Sequence, residues 1–138
     1  MNDAVERARA LLNTPFVHLG RDGKGIDCIG LVAHAVAYDA AELPAYPRDP
    51  VNGELERYLE EALGPPTLTA PITDDELQAG DIAVMQYRGP LRHVGLVADH
   101  PTIKGVHSLI HTDSMVGKVT EHILDAKWLR RIEKVWRL

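Results

Sequence analysis

The chain has 138 residues, 45% of them hydrophobic and 25% charged, which suits one globular domain (1–138), since single cores commonly run to about 100–200 residues. A formal net charge of -5 with a pI near 5.8 excludes the broad basic field that holds polyanions, so no nucleic acid is expected as a partner. The single cysteine cannot make an internal disulfide, so the fold is expected to stand without an oxidising compartment.

The N-terminus, MNDAVERARALLNT, mixes charges with short apolar groups and lacks the continuous apolar stretch of a signal peptide. No segment approaches the ~18 apolar residues that span a bilayer. Synthesis in the cytoplasm, without a signal peptide or membrane span, is the expectation. Residues 3–12 place Val5, Ala8, Leu11 and Leu12 on one side of a short amphipathic helix that Asn13, Thr14 and Pro15 end. GRDGKG, residues 20–25, reads as a loop by composition.

Asp27 then precedes an apolar run. From Cys28 to Ala41, eleven of fourteen residues are apolar, too many for a helix with one wet face, so this segment is predicted as the central buried helix. Six of the nine prolines lie between Pro44 and Pro71, interrupted by ELERYLEEAL, whose Leu55, Tyr58, Leu59 and Ala62 recur at helical spacing. After Gly80 come DIAVMQY, HVGLVAD, GVHSLIH, KVTEHI and IEKVWRL, short runs predicted as strands of an antiparallel meander. Helices first and strands afterwards indicate an α+β domain.

The candidate chemistry begins at GIDCIGLVAHAV, residues 25–36. Asp27 is a good N-cap type, which puts Cys28 in the first turn of a helix, where unpaired N–H groups and the helix dipole favour a thiolate and could hold an oxyanion. A lone cysteine in an apolar helix is more often a small hydrophobic filler, so the partners decide. Gly30 costs roughly 0.5–1 kcal/mol against alanine within a helix, which points to close approach of another group there.

A nucleophilic cysteine needs a base and commonly a third group that orients the base. His34 lies about 240° round the helix from Cys28 and faces elsewhere. His100 and His122 fall near strand ends and are expected to face solvent. His93 opens HVGLVAD and His111 closes GVHSLIH, so adjacent antiparallel strands could set these two rings side by side. His107 and His111 form an H-x-x-x-H pair, but in a strand residues four apart lie about 13 Å apart, so no metal site is expected.

The ordered set DCIGLV, GDIAVM, HVGLV and LIH resembles the NlpC-type cell-wall peptidases, papain-like cysteine enzymes that cut the peptide part of peptidoglycan. The lead-in TPFVHLGRDGKGIDCIGLV and the ending LIHTDSMVGKVTEHILDAKWLRRIEKVWRL are similar to the branch of phage or gene-transfer-agent tail cell-wall peptidases. The resemblance spans nearly the whole chain. It implies a papain-like core, with the cysteine helix packed on an antiparallel sheet, and no cofactor. It implies Cys28 as nucleophile, His93 as general base and His111 as the residue orienting His93, with Asp27, Phe16, His18, Ile29 and Gly30 at the substrate.

The activity implied is hydrolysis of a stem-peptide amide, typically γ-D-glutamyl to diamino acid, by a protein built into a phage-like tail or released to act on the wall. The partners implied are the peptidoglycan stem peptide and phage-like tail proteins. Two positions depart from many relatives: Phe16 stands where a tyrosine is common, with His18 as a substitute polar group, and Ile29 stands where serine follows the cysteine. A structural tail-tip component and a papain-like acyltransferase are the alternatives.

Overall fold

The computed structural model describes residues 2–39, 53–87, 89 and 92–138. Helix α1 (Asp3–Arg9) opens under an Asn2 cap whose side chain accepts from the N–H groups of Ala4 and Val5. It is shorter than its apolar pattern suggests: Leu11 stays buried in a following turn, and Asn13 takes a left-handed backbone, φ 71°. The glycine-rich segment is not a plain loop. It folds into a tight ribbon of β1 (Arg21–Asp22) and β2 (Gly25–Ile26).

Helix α2 (Cys28–Ala35) follows with Leu31, Val32, Ala33 and Ala35 buried and His34 on the exposed side. It ends earlier than its apolar run, at Val36, before Ala37 turns left-handed at φ 58°. Residues 40–52, which include the end of that run and the first three prolines of the proline-rich connection, lie outside the described residues. Helix α3 (Glu54–Leu63) is the amphipathic ELERYLEEAL segment.

One six-stranded antiparallel sheet contains β3 (Leu68–Thr69), β4 (Ile82–Gln86), β5 (Arg92–Asp99), β6 (His107–His111), β7 (Thr120–Ile123) and β8 (Ile132–Trp136), in the order β3-β8-β4-β5-β6-β7. The middle is the predicted meander. The last strand departs from it, because β8 returns across the sheet to pair with β4. Arg137 secures that return by a two-pronged ion pair, Nε to Asp81 Oδ1 at 2.8 Å and a terminal nitrogen to Oδ2 at 2.9 Å. Asp81 of the GD motif is fully buried, and its carboxylate also accepts from Gln78 N–H. A short helix α4 (Ala126–Leu129), capped by Asp125, fills the crossing.

Both sheet faces are covered, which is why β5 reads as a nearly unbroken buried run. Ile82, Val84, Val94, Leu96, Ala98 and Ile110 pack with Val5, Leu31, Val32 and Leu55 of the helices. Ala83, Met85, Val97, Leu109, Ile132 and Val135 form a second cluster, against which Trp128 and Leu129 of α4 pack. The lead-in to the cysteine is bound to a late segment: Asn13 N–H donates to Val119 O, Val119 N–H to Thr14 O, and Phe16 N–H to Gly117 O, each at 2.9 Å. Among the described residues no helix is long and apolar enough to cross a membrane.

Candidate active site

Cys28 is the first residue of α2, and its place is fixed by backbone and cap contacts. Asp27 is buried, its Oδ1 accepting from Gly30 N–H at 2.7 Å and its Oδ2 from Leu19 N–H at 2.8 Å. Arg21 donates to the same carboxylate at 3.0 Å and to Gly20 O at 2.9 Å. Leu19 is held with a left-handed backbone, φ 63°. Gly30 is required by space: a Cβ there would stand 2.4 Å from Gly20 O. Thus the ribbon lies directly on the first turn of α2.

The histidines come from the sheet. The β5–β6 ladder begins at Leu96, so the first residues of β5 extend beyond it, and there the Val94 N–H meets the sulfur of Cys28. His93 and His111 are both buried, and His93 Nε2 lies 2.8 Å from His111 Nδ1. Gly95 permits this closeness, since a Cβ there would lie 2.8 Å from a Leu109 methyl and 3.2 Å from His111 Cβ. The Tyr87 ring packs on His93 at 4.8 Å between centroids, and its hydroxyl donates to Asp113 in a short hydrogen bond. Asp113 also accepts from the N–H groups of Met115 and Val116.

Burial dominates the electrostatics. It pushes the Cys28 thiol up to about 12, with the Asp27 charge adding to the effect and the N–H groups of Val94 and Ile29 opposing it. Burial likewise draws His93 down to about 4 and His111 down to about 3, against the pull of Asp113. Burial also works against ionisation of Asp113, but the Tyr87 hydroxyl and the Val116 N–H hold it below the usual carboxylate range. The helix N-terminus that favours a thiolate at Cys28 is therefore opposed by desolvation, although Cys28 itself is only half-buried. Desolvation favours the neutral thiol and the neutral imidazole, and Asp113 supplies a charge that favours an imidazolium at His93.

Of the residues singled out in the sequence, His93 and His111 pair directly, and Cys28 meets the backbone of Val94, the residue after His93. Asp27 and Gly30 build the helix start. Ile29 is half-buried beside Cys28 and lines an apolar pocket with Val32, Leu55, Tyr58 and Val94. Phe16 is half-buried and bridges to Ile26, and His18 is half-buried on the same lead-in. His107 turns to Asp74 at 3.2 Å.

His122 is a correction, since it is half-buried against His111 and Trp128, whereas His100 keeps part of its surface in solvent at its strand end. His100 Nδ1 caps its own turn by accepting from Ile103 N–H. His122 Nε2 lies 2.8 Å from His111 Nε2. Its register opposite Leu109 puts it on the same sheet face as His111, a relation that strand pairing alone reveals. Tyr87 and Asp113, also missed, end the predicted strand DIAVMQY and open the segment TDSMVGK.

His93, His111 and Asp113 offer possible metal-ligand atoms within 4.8 Å of one another. His93 Nε2 and His111 Nδ1 already share a proton, and the Asp113 carboxylate holds the Tyr87 hydroxyl. The arrangement is suited to proton transfer: a thiol at a helix start, a buried neutral base and a second ring that fixes the base.

No curated protein matches the chain. Among solved structures, the NlpC/p60 domain of the peptidoglycan hydrolase SagA is similar in fold, with a TM-score of 0.60 at 17% identity, over 99% of this chain and 97% of that one. The NlpC/P60 family model matches residues 13–137. With the cysteine at the helix start and the two histidines on neighbouring strands, the chain belongs to the NlpC/P60 family, a family of cysteine peptidases and amidases that act on peptidoglycan.

Proposed function

We propose that this protein hydrolyses an amide bond of the peptidoglycan stem peptide, typically the γ-D-glutamyl to diamino acid bond, with Cys28 as nucleophile. The observation that carries the reading is the convergence of β5 on the cysteine: the Val94 N–H at the sulfur and the adjacent His93 paired with His111 at 2.8 Å. His93 takes the thiol proton as the sulfur attacks the carbonyl, and the N–H groups in the first turn of α2 meet the oxyanion. Asp113 stabilises the imidazolium that develops. His93 then protonates the leaving amine, and water, activated by the same ring, clears the thioester.

Resting neutrality suits this sequence of steps. A buried ion pair carries a desolvation penalty at all times, whereas here charge arises only with the substrate in place. Ile29, in place of the serine found in many relatives, removes a hydroxyl beside the nucleophile, so recognition of a free substrate amine must come from another group, with His18 on the lead-in as the candidate. Association with a phage-like tail rests on the likeness of the lead-in and ending to that branch, and co-sedimentation of the chain with tail particles tests it.

Digestion of purified sacculi, read by mass spectrometry of the fragments, tests the chemistry. Wild type should release stem-peptide fragments bearing new carboxylates, and Cys28→Ala should release none while keeping a native far-UV spectrum. Lysis retained by Cys28→Ala would exclude the cysteine mechanism. Fragments joined to an added amine or alcohol would assign acyl transfer instead.

A further inference from the structure

The two imidazoles of the site continue into a third. His93 Nε2 meets His111 Nδ1, His111 Nε2 meets His122 Nε2, and His122 Nδ1 meets the carbonyl oxygen of Ile123, each at 2.8 Å. A carbonyl oxygen only accepts, so His122 Nδ1 carries a proton. A neutral imidazole has one N–H, so His122 Nε2 presents a lone pair and His111 donates to it from Nε2. His111 Nδ1 is then also a lone pair, and His93 must donate to it from Nε2. The series leaves one unengaged lone pair, on His93 Nδ1.

We propose that His122 is a positioning residue which, anchored on the Ile123 carbonyl, sets the tautomers of His111 and His93 and so leaves His93 Nδ1 unprotonated to receive the Cys28 proton. The inference rests on the proposed roles of Cys28 and His93 and extends them. No proton has to travel along the chain. When the thiol proton moves to His93 Nδ1, the imidazolium still donates from Nε2 to His111, so every bond in the series survives the transfer. In the reverse polarity a donor at residue 122 would turn His111 Nδ1 into a donor toward His93 Nε2, and Nδ1 of His93 would already hold a proton.

The rings are held for this purpose. Trp128 packs against His122 at 4.8 Å and His111 at 5.1 Å, and its own position is set by the α4 cap, where Trp128 N–H donates to Asp125. Of the neighbouring charges, Asp113 acts on His93 and His111 while its carboxylate is engaged by the Tyr87 hydroxyl, and the others are held elsewhere. Arg131 lies over Trp128 at 4.6 Å, and Glu121 is engaged by Arg9 and Ser108.

The test is imidazole nitrogen NMR at neutral pH on wild type, with kinetics and iodoacetamide alkylation of Cys28 in His122→Gln, His122→Lys and His122→Leu. The spectra should show His93 and His111 protonated at Nε2 and His122 at Nδ1. His122→Leu and His122→Lys should lower kcat about 100-fold with KM little changed, the scale of a misdirected general base. The alkylation rate should fall with kcat. His122→Gln, whose amide oxygen can accept from His111, should restore most of both. A His93 protonated at Nδ1 in wild type, or unchanged alkylation and turnover in His122→Leu, would overturn the proposal. If the leucine variant does not fold, the wild-type spectra and the glutamine variant decide. NMR and alkylation need no wall substrate, so failure to cleave sacculi would count against the proposed reaction and leave the tautomer assignment standing.

Discussion

The two halves of the site are held by different means. On the cysteine side, a buried carboxylate, a ribbon and a glycine fix the helix start through contacts between Val17 and Gly30 in sequence, with the Val94 N–H reaching the sulfur from the sheet. On the histidine side, three rings on three adjacent strands are placed by register, with partners up to 18 residues apart along the chain. A cap is local and rigid. A register is a collective property of the sheet, so the base is as well placed as the strands that carry it.

The cysteine side should break most sharply. Gly30→Ala drives a methyl into Gly20 O at 2.4 Å, and with backbone as the obstacle the loss should be about 3 kcal/mol, read by denaturant unfolding. Acid should act next, on the histidine side. His93 and His111 sit at about 4 and about 3 in the fold against an ordinary value of 6.5, so the unfolded chain binds more protons as pH falls below that value. Stability is then full above the unfolded value and is lost as pH drops toward the folded ones. Thermal melts should fall by roughly 10 °C between neutral pH and pH 4, and less in His111→Gln.

Asp27→Ala removes the cap and the acceptor of Leu19 N–H, a loss of about 1–2 kcal/mol. The same change removes a charge that opposes the thiolate, so Cys28 alkylation at a fixed pH should quicken even as stability declines. Unchanged alkylation would mean that the carboxylate is not felt at the sulfur. The smallest stability effect belongs to Gly95→Ala, about 1 kcal/mol, because its nearest obstacle is a Leu109 methyl that can turn away. Its signature is kinetic, since the His111 Cβ must also yield, and kcat should drop more than KM changes.

The same contrast decides what could be read in the sequence. The helix start at Asp27-Cys28 is written in neighbouring residues, as are ELERYLEEAL and the strand-forming runs after Gly80. The position of β8 beside β4 is not, because it depends on Arg137 reaching Asp81 across 56 residues. The place of His122 is hidden for a related reason. In KVTEHI it looks like a polar residue at a strand end, and only pairing with Leu109 turns it toward His111. The electrostatics are less legible because a helix N-terminus is visible in a sequence and desolvation is not: only the packed fold shows that desolvation opposes the dipole at Cys28.

The bonds that join residues 13–16 to residues 117–119 also bear on the order of folding. A chain emerging from the ribosome presents Cys28 long before His93 and His111, and the lead-in that seats α2 finds its partners only after residue 119 exists. Contacts of such separation are slow to close. On the proposed assignment, the thiol meets its base only after the strands beyond residue 92 have been made, and an unfinished chain carries Cys28 without it.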